Sequence, residues 1–149
     1  MKLRIYLDTS VISACGDARS PERRVETLAF FGRRPEFEMT TSTLTEVEIR
    51  RTLDQGRRAE MLQILQTIPL IAITPEMEQL AQLYLRAGIF EPKQADDALH
   101  VATATVSRIS VVVSWNFRHL VNRRRRSMVL AINAGLRYPT IEIVSPPEA

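Results

Sequence analysis

The sequence predicts an α/β protein, a three-layer α/β/α sandwich built around a central parallel sheet. Short strand-like runs alternate with amphipathic helical segments along the 149 residues, which is typical of a parallel sheet with helices on both faces. The run ISVVVS at 109–114 is almost uninterruptedly apolar, as strands buried on both faces are. At this length we expect one domain spanning residues 1–149.

The first half of the chain alternates strands with helices. The first strand lies in LRIYLDTSVI, where Leu3, Ile5 and Leu7 are its apolar positions. Ser20–Pro21 begins a helix, because serine caps helices and proline suits their first position. Four more elements follow: a strand over Phe37–Thr41, a helix from Ser42 or Thr43 to near Gly56, a helix over Ala59–Gln66 and a strand over Pro69–Ile73.

The second half continues the alternation. Thr74–Pro75 begins a helix that stops at Gly88, and residues 95–107 (ADDALHVATATVS) form a helix of small residues that packs closely in the centre. The remaining predicted elements are the strand Ile109–Ser114, helical segments over Phe117–Val121 and Met128–Leu136, and a last strand over Ile141–Val144.

Composition excludes several classes of protein. Hydrophobic residues make up 45% and charged residues 25% of the chain, which is ordinary for a globular protein. The lone Cys15 rules out an internal disulfide and suits a reducing compartment. No apolar stretch reaches the length of a membrane span and the N-terminus lacks a signal peptide, so we expect a soluble cytoplasmic protein without membrane association. The glycines form neither a dinucleotide-binding motif nor a P-loop.

Arginine dominates the basic residues. Of the 20 lysines and arginines, only Lys2 and Lys93 are lysines, and the net charge is +3. Arginine forks match phosphate oxygens, although a GC-rich genome explains the same bias. Arg118 and the run Arg123–Arg126, above all Arg123 and Arg124, are candidate RNA phosphate contacts; the alternative is a solvated basic loop or a surface for an acidic partner.

Four polar positions fall at strand ends or helix starts. Asp8 ends the first strand, Glu46 follows the second, Asp97 begins the small-residue helix and Asn116 follows ISVVVS. In a parallel α/β sheet these positions meet at one edge, where ligands bind. Converging carboxylates repel one another unless a cation neutralises them. We therefore expect Mg²⁺ or Mn²⁺, which can orient a phosphate and activate a water for in-line attack.

Each of these residues also has a purely structural interpretation. Asp8 can cap a helix, and Asp96 and Asp97 can complement the positive end of one. Glu46 can be a solvated surface residue, with the neighbouring Glu48 as the functional one. His100 is expected to be a buried, hydrogen-bonded helix residue rather than a zinc ligand.

Four segments together resemble the PIN-domain family, which includes the VapC-type toxins of bacterial toxin–antitoxin systems. The segments are LDTSVI, TLTEVE, ADDALHVATA and VVSWNFRHL, and the resemblance covers nearly the whole chain. It implies a Mg²⁺- or Mn²⁺-dependent ribonuclease whose metal is held by Asp8, Glu46 and Asp97. It also implies an RNA substrate, a small antitoxin partner and a homodimer. Three neighbours join the candidate site: Asp96, able to share or replace the role of Asp97, and the supporting and substrate-binding hydroxyls Thr9 and Ser10.

The sequence departs from the family pattern at one position. Asn116 stands where many members have aspartate, so the site loses one negative charge, although SWNFRHL resembles a subgroup pattern. The alternative function is therefore a catalytically weak module that binds RNA or a partner protein. A phosphotransfer domain fits poorly, because Ser10 replaces the second acid of an Asp-x-Asp motif and no lysine follows Lys93.

Overall fold

A computed structural model describes residues 2–116 and 122–149 and contains a five-stranded parallel sheet with the strand order β3-β2-β1-β4-β5. This order confirms the predicted parallel α/β class. The strands are β1 (Leu3–Leu7), β2 (Phe37–Ser42), β3 (Leu70–Ile71), β4 (Val111–Val113) and β5 (Glu142–Val144).

Helices connect the strands in the order that the sequence predicts, with one addition. They are α1 (Thr9–Ala14), α2 (Pro21–Gly32), α3 (Thr43–Arg50), α4 (Gln55–Leu65), α5 (Pro75–Arg86), α6 (Ala95–Val106) and α7 (Arg123–Gly135). Within the described ranges, no helix is long and apolar enough to cross a lipid bilayer.

Alternation along the central strands creates two hydrophobic cores, one on each face of the sheet. Ile5 and Leu7 of β1 pack in one core, whereas Tyr6 between them packs in the other. The first core includes buried residues of α1, α2 and α4, and the second includes residues of α5, α6 and α7. The sheet is thus enclosed between two helical layers, as a three-layer sandwich requires.

Two helix boundaries in the first half were wrongly predicted. Gly56 does not end a helix, because α3 ends at Arg50 and Gly56 lies in the first turn of α4. The side chain of Asp54 accepts a hydrogen bond from the backbone N–H of Arg57 and so caps α4. The short helix α1 was not predicted, and it begins directly after Asp8.

Other predicted boundaries shift by a few residues. The strand predicted over Pro69–Ile73 shrinks to two residues at the edge of the sheet, where only β2 pairs with it. The helix predicted over Met128–Leu136 begins earlier, at Arg123, because the side chain of Asn122 accepts from the N–H of Arg125 and caps it. The basic run is therefore the first turn of a helix rather than a loop. The segment predicted over Phe117–Val121 lies outside the described residues.

Candidate active site at the carboxyl edge of the sheet

Asp8 connects β1 to α1 and is almost fully buried, with 2% of its surface exposed. Its Oδ1 accepts hydrogen bonds from the backbone N–H (3.1 Å) and hydroxyl (2.5 Å) of Ser10, and its Oδ2 accepts from the hydroxyl of Ser114 at 2.6 Å. Burial raises the pKa of Asp8 and the charge of Glu48 adds to the rise, although His100 and the serine hydrogen bonds oppose it. The fold therefore places a carboxyl group where burial disfavours its charged form.

Glu48, on α3, is the second carboxylate of this site. Its Oε1 accepts from the hydroxyl of Thr9 at 2.9 Å and lies 2.5 Å from Nε2 of His100. Burial raises the pKa of Glu48, but the hydrogen bond and charge of His100, with the Thr9 bond, outweigh it and lower that pKa overall. Glu48 is therefore held as a carboxylate.

Glu46, which the sequence predicts as a site residue, takes no part in the contact with Thr9 and His100. It forms an exposed ion pair with Arg50 one helical turn later, at 3.2 Å. Residues two positions apart on a helix do not share a face, so α3 can direct only one of Glu46 and Glu48 toward the site. The hydrogen bonds select Glu48, the alternative that sequence reasoning left open.

His100 is the buried partner of Glu48. Its Nδ1 lies 2.6 Å from the hydroxyl of Tyr6, which in turn lies 2.8 Å from the hydroxyl of Ser42. Burial lowers the pKa of His100, but Tyr6 and the hydrogen bond and charge of Glu48 more than reverse this and raise that pKa well above 6.5. Both ring nitrogens of His100 are thus hydrogen-bonded, and the raised pKa favours the protonated ring beside Glu48.

Asp97, in the first turn of α6, is the third carboxylate. Burial raises its pKa to about 6, and the charges of Asp8 and Glu48 contribute to that rise. Its Oδ2 accepts a hydrogen bond from Nδ2 of Asn116 at 3.1 Å, and the backbone N–H of Asn116 donates to the hydroxyl of Ser114 at 2.8 Å. The structure therefore brings Asp8, Asp97 and Asn116 together, as the sequence predicts.

The hydroxyls after Asp8 support the carboxylates. Thr9 donates to Glu48, and Ser10 donates to Asp8 while accepting from the backbone N–H of Trp115 at 2.9 Å. Both hydroxyls thus hydrogen-bond within the protein, in the supporting position that the family resemblance implies, while both residues remain partly exposed.

The remaining predicted site residues lie at the surface around the site or outside the described residues. Asp96 forms an exposed ion pair with Arg51 at 3.0 Å, although it directly precedes Asp97. Arg123 and Arg124 are exposed in the first turn of α7. A crossover helix between parallel strands begins on the side where the preceding strand ends, so this turn lies toward the same edge as Asp8. Arg118 lies outside the described residues.

Oxygen donors dominate the site, and they have the chemistry that Mg²⁺ and Mn²⁺ prefer. The donors are the carboxylates of Asp8, Glu48 and Asp97. As placed, however, no three His, Cys, Asp or Glu side chains within 2–116 and 122–149 form a group that could hold a metal ion. An ion held by all three carboxylates would therefore need their side chains to shift from the positions they have here.

From the sequence, Glu48 is an alternative to Glu46, and neither Ser114 nor Tyr6 is predicted to belong to the site. One available signal was the face of α3: its buried residues include Leu44 and Thr45, and Glu48 lies four positions after Leu44 and three after Thr45, on the same face. The contributions of Ser114 and Tyr6 had no comparable signal, because each depends on a partner more than 90 residues away in the chain.

Comparison with known proteins gives a family and a set of structures with the same fold. The model of the PIN domain matches residues 5–122. No curated protein matches the chain in sequence.

The solved structures that resemble this chain include several toxin–antitoxin complexes. VapBC2 from Rickettsia felis, bound to a promoter DNA fragment, has a TM-score of 0.60 at 12% identity, covering 96% of this chain and 98% of that one. DNA-bound VapBC from Salmonella typhimurium has a TM-score of 0.55 at 18% identity, covering 97% and 98%. A toxin–antitoxin complex from Klebsiella pneumoniae has a TM-score of 0.59 at 15% identity, covering 81% and 93%. At these identities the likeness establishes a shared fold.

Proposed function

This chain belongs to the PIN-domain family, and on that premise we propose that it is a metal-dependent endoribonuclease that cleaves RNA phosphodiesters. One observation carries the proposal: Asp8, Glu48 and Asp97 converge although burial and mutual repulsion raise the pKa of two of them. A fold gains no stability from such a cluster, whereas a site for a divalent cation requires it.

The three carboxylates would hold the ion, which is Mg²⁺ or Mn²⁺. When bound, such an ion supplies positive charge to the phosphate and lowers the pKa of a water. Ser10 and Ser114 orient Asp8, Asn116 orients Asp97, and His100 holds Glu48 in place. Glu46 and Asp96 are assigned outside the metal site, because each is paired with an arginine at the surface.

RNA would approach the carboxyl edge of the sheet from solvent. The exposed Arg123 and Arg124 would neutralise backbone phosphates there, and we assign the same role to Arg118. Each such contact contributes to affinity without reading the RNA sequence.

We further propose that the enzyme is the toxin of a type II toxin–antitoxin system and acts in the cytoplasm as a homodimer. The proposal rests on the likeness to VapBC complexes, which are named as toxin–antitoxin assemblies. A short open reading frame of DNA-binding type beside this gene would support it, and its absence would favour a stand-alone nuclease.

The test is cleavage of RNA by the purified protein with Mg²⁺, with Mn²⁺ and with a chelator. We expect cleavage only with metal. Loss of an outer-shell partner of a metal ligand costs about tenfold to hundredfold in activity, and the Asp8→Asn variant should lose more cleavage activity than that. Because asparagine can keep hydrogen bonds to Ser10 and Ser114, the variant should still fold, as circular dichroism would verify.

The alternative, a catalytically weak binding module, is favoured by the neutral side chain of Asn116 beside Asp97. Titration calorimetry with Mn²⁺ separates the two. Binding that disappears in Asp8→Ala supports the enzyme, whereas no binding to the unmodified protein supports the module. Full cleavage by Asp8→Asn would refute the assignment of the site.

A further inference from the structure

Arg51 lies at the rim of the carboxylate cluster. It is the C-cap residue of α3, directly after Arg50, and lies three positions after Glu48 and therefore next to it along the helix surface. Its charge is among the influences that lower the pKa of Glu48. The guanidinium reaches α6, where its Nη1 donates to Oδ2 of Asp96 at 3.0 Å, one residue before Asp97. Arg51 thus connects the two helices that carry the second and third carboxylates.

The pair between Arg51 and Asp96 is open to solvent. The side chains are 63% and 41% exposed, and exposed ion pairs of this kind contribute little to stability. Only Nη1 has a hydrogen-bond partner in the described part of the chain. Arg51 therefore brings a positive charge close to Glu48, at a site whose carboxylates would otherwise repel a polyanion.

We propose that Arg51 binds a backbone phosphate of the RNA beside the bond to be cleaved, and that Asp96 occupies the guanidinium until RNA replaces it. The proposal deepens the proposed ribonuclease function and rests on it. A phosphodiester offers two anionic oxygens in the geometry that an arginine fork matches, whereas Asp96 uses only one donor. Asp96 therefore acts as a competitor of the substrate and not as a metal ligand.

The chain contains a matched control for this pair. Arg50 and Glu46 also form an exposed ion pair through a single hydrogen bond, with side chains 60% and 38% exposed. Arg50 adjoins Arg51 in sequence, but its partner lies on its own helix rather than beside Asp97. Substituting either arginine changes the net charge equally, as does substituting either carboxylate.

The experiment measures binding of a fluorescein-labelled single-stranded RNA of mixed sequence by fluorescence anisotropy with Mg²⁺. An Asp8→Asn background prevents cleavage during the titration. Arg51→Gln should weaken binding about tenfold and reduce the slope of log affinity against log salt by about 0.7, the value for one lost phosphate on a single strand. Asp96→Asn should tighten binding by up to about fivefold, the limit for an exposed ion pair.

Arg50→Gln and Glu46→Gln measure how the change of charge alone affects RNA binding. This effect is subtracted from that of Arg51→Gln and Asp96→Asn, respectively. Opposite effects of Arg51→Gln and Asp96→Asn beyond these controls support the proposal, because a merely structural ion pair would make both variants change binding in the same direction. Equal effects of Arg51→Gln and Arg50→Gln would overturn it, as would absence of RNA binding by the unmodified protein. Cleavage by the protein with Asp8 intact is scored separately, so a failure of the nuclease proposal is distinguishable from a failure of this one.

Discussion

Two polar clusters lie within the fold, and they differ in charge. The charged cluster consists of Asp8, Glu48, Asp97 and His100 at the carboxyl edge of the sheet. The neutral cluster consists of Tyr84, Thr105 and Asn133, which join α5, α6 and α7.

The neutral cluster is fully compatible with burial. The hydroxyl of Tyr84 donates to Oδ1 of Asn133 at 2.5 Å, and Nδ2 of Asn133 donates to the hydroxyl of Thr105 at 3.2 Å. Burial raises the pKa of Tyr84 to about 12, so its phenol keeps its proton at any physiological pH. Every member is neutral and bonded, which is the usual solution for polar groups in a core.

The charged cluster has equally complete hydrogen bonding but a different electrostatic state. No buried side-chain nitrogen or oxygen of the described residues lacks a hydrogen-bond partner. Its carboxylates nevertheless repel one another, and two of them have raised pKa values. The two clusters therefore differ in electrostatics and not in hydrogen bonding, and unfavourable charge is the feature that is typical of functional sites.

The largest expected effect separates the two glutamates of α3. Glu48→Gln removes the charge that contacts Thr9 and His100 and should reduce Mn²⁺ affinity by at least about hundredfold, because the proposed role is that of a direct ligand and loss of an outer-shell partner already costs about tenfold to hundredfold. Glu46→Gln, the matched control, removes an equal charge from an exposed pair and should leave the affinity unchanged. Titration calorimetry measures both, and equal losses would contradict the assignment of Glu48.

A second substitution breaks the neutral cluster. Asn133→Ala leaves the hydroxyls of Tyr84 and Thr105 without this partner and should lower the free energy of unfolding by about 1 to 2 kcal/mol. Urea unfolding measures the loss. Mn²⁺ affinity of the folded variant should not change, and a parallel loss of affinity would mean that the two clusters are coupled.

The smallest effect is a pH dependence that only the charged cluster can produce. The pKa of Asp97 rises from 3.8 to about 6 in the folded protein, so a cation must displace its proton below that pH. Displacement of the Asp97 proton alone should therefore lower Mn²⁺ affinity by at most about tenfold for each pH unit below 6, and a proton on Asp8 would add to this fall. His100, with its pKa well above 6.5, stays protonated throughout this window.

The stability of the metal-free protein depends on pH in the opposite direction to its Mn²⁺ affinity. Because the folded pKa of Asp97 lies above 3.8, its protonation stabilises the metal-free fold fully below about pH 4, and this contribution is lost as pH rises through about 6. Calorimetry in buffers of different ionisation enthalpy counts the protons that Mn²⁺ releases. Proton release at pH 5 no greater than at pH 8 would contradict the raised pKa.

Much of the fold was predictable because its signals are local. Apolar periodicity and capping residues predicted β1, α5 and α6 close to their observed bounds. Helix α1 was missed because it spans only six residues and directly follows a strand. Gly56 was wrongly assigned to a helix end, because glycine is a frequent terminator but the cap at Asp54 begins the next helix before it.

The alternation of strands and helices could be predicted from local sequence patterns, and with it the edge that Asp8, Asp97 and Asn116 share. Asp8 and Asn116 follow parallel strands, which end on the same side, and Asp97 begins the helix that leads back to the start of β4. The choice between Glu46 and Glu48, the contact of Tyr6 with His100 across 94 positions and the shifted pKa values of the carboxylates all required the folded chain. These properties depend on burial and on charges brought close by folding, and neither quantity is a property of a residue and its neighbours in the chain.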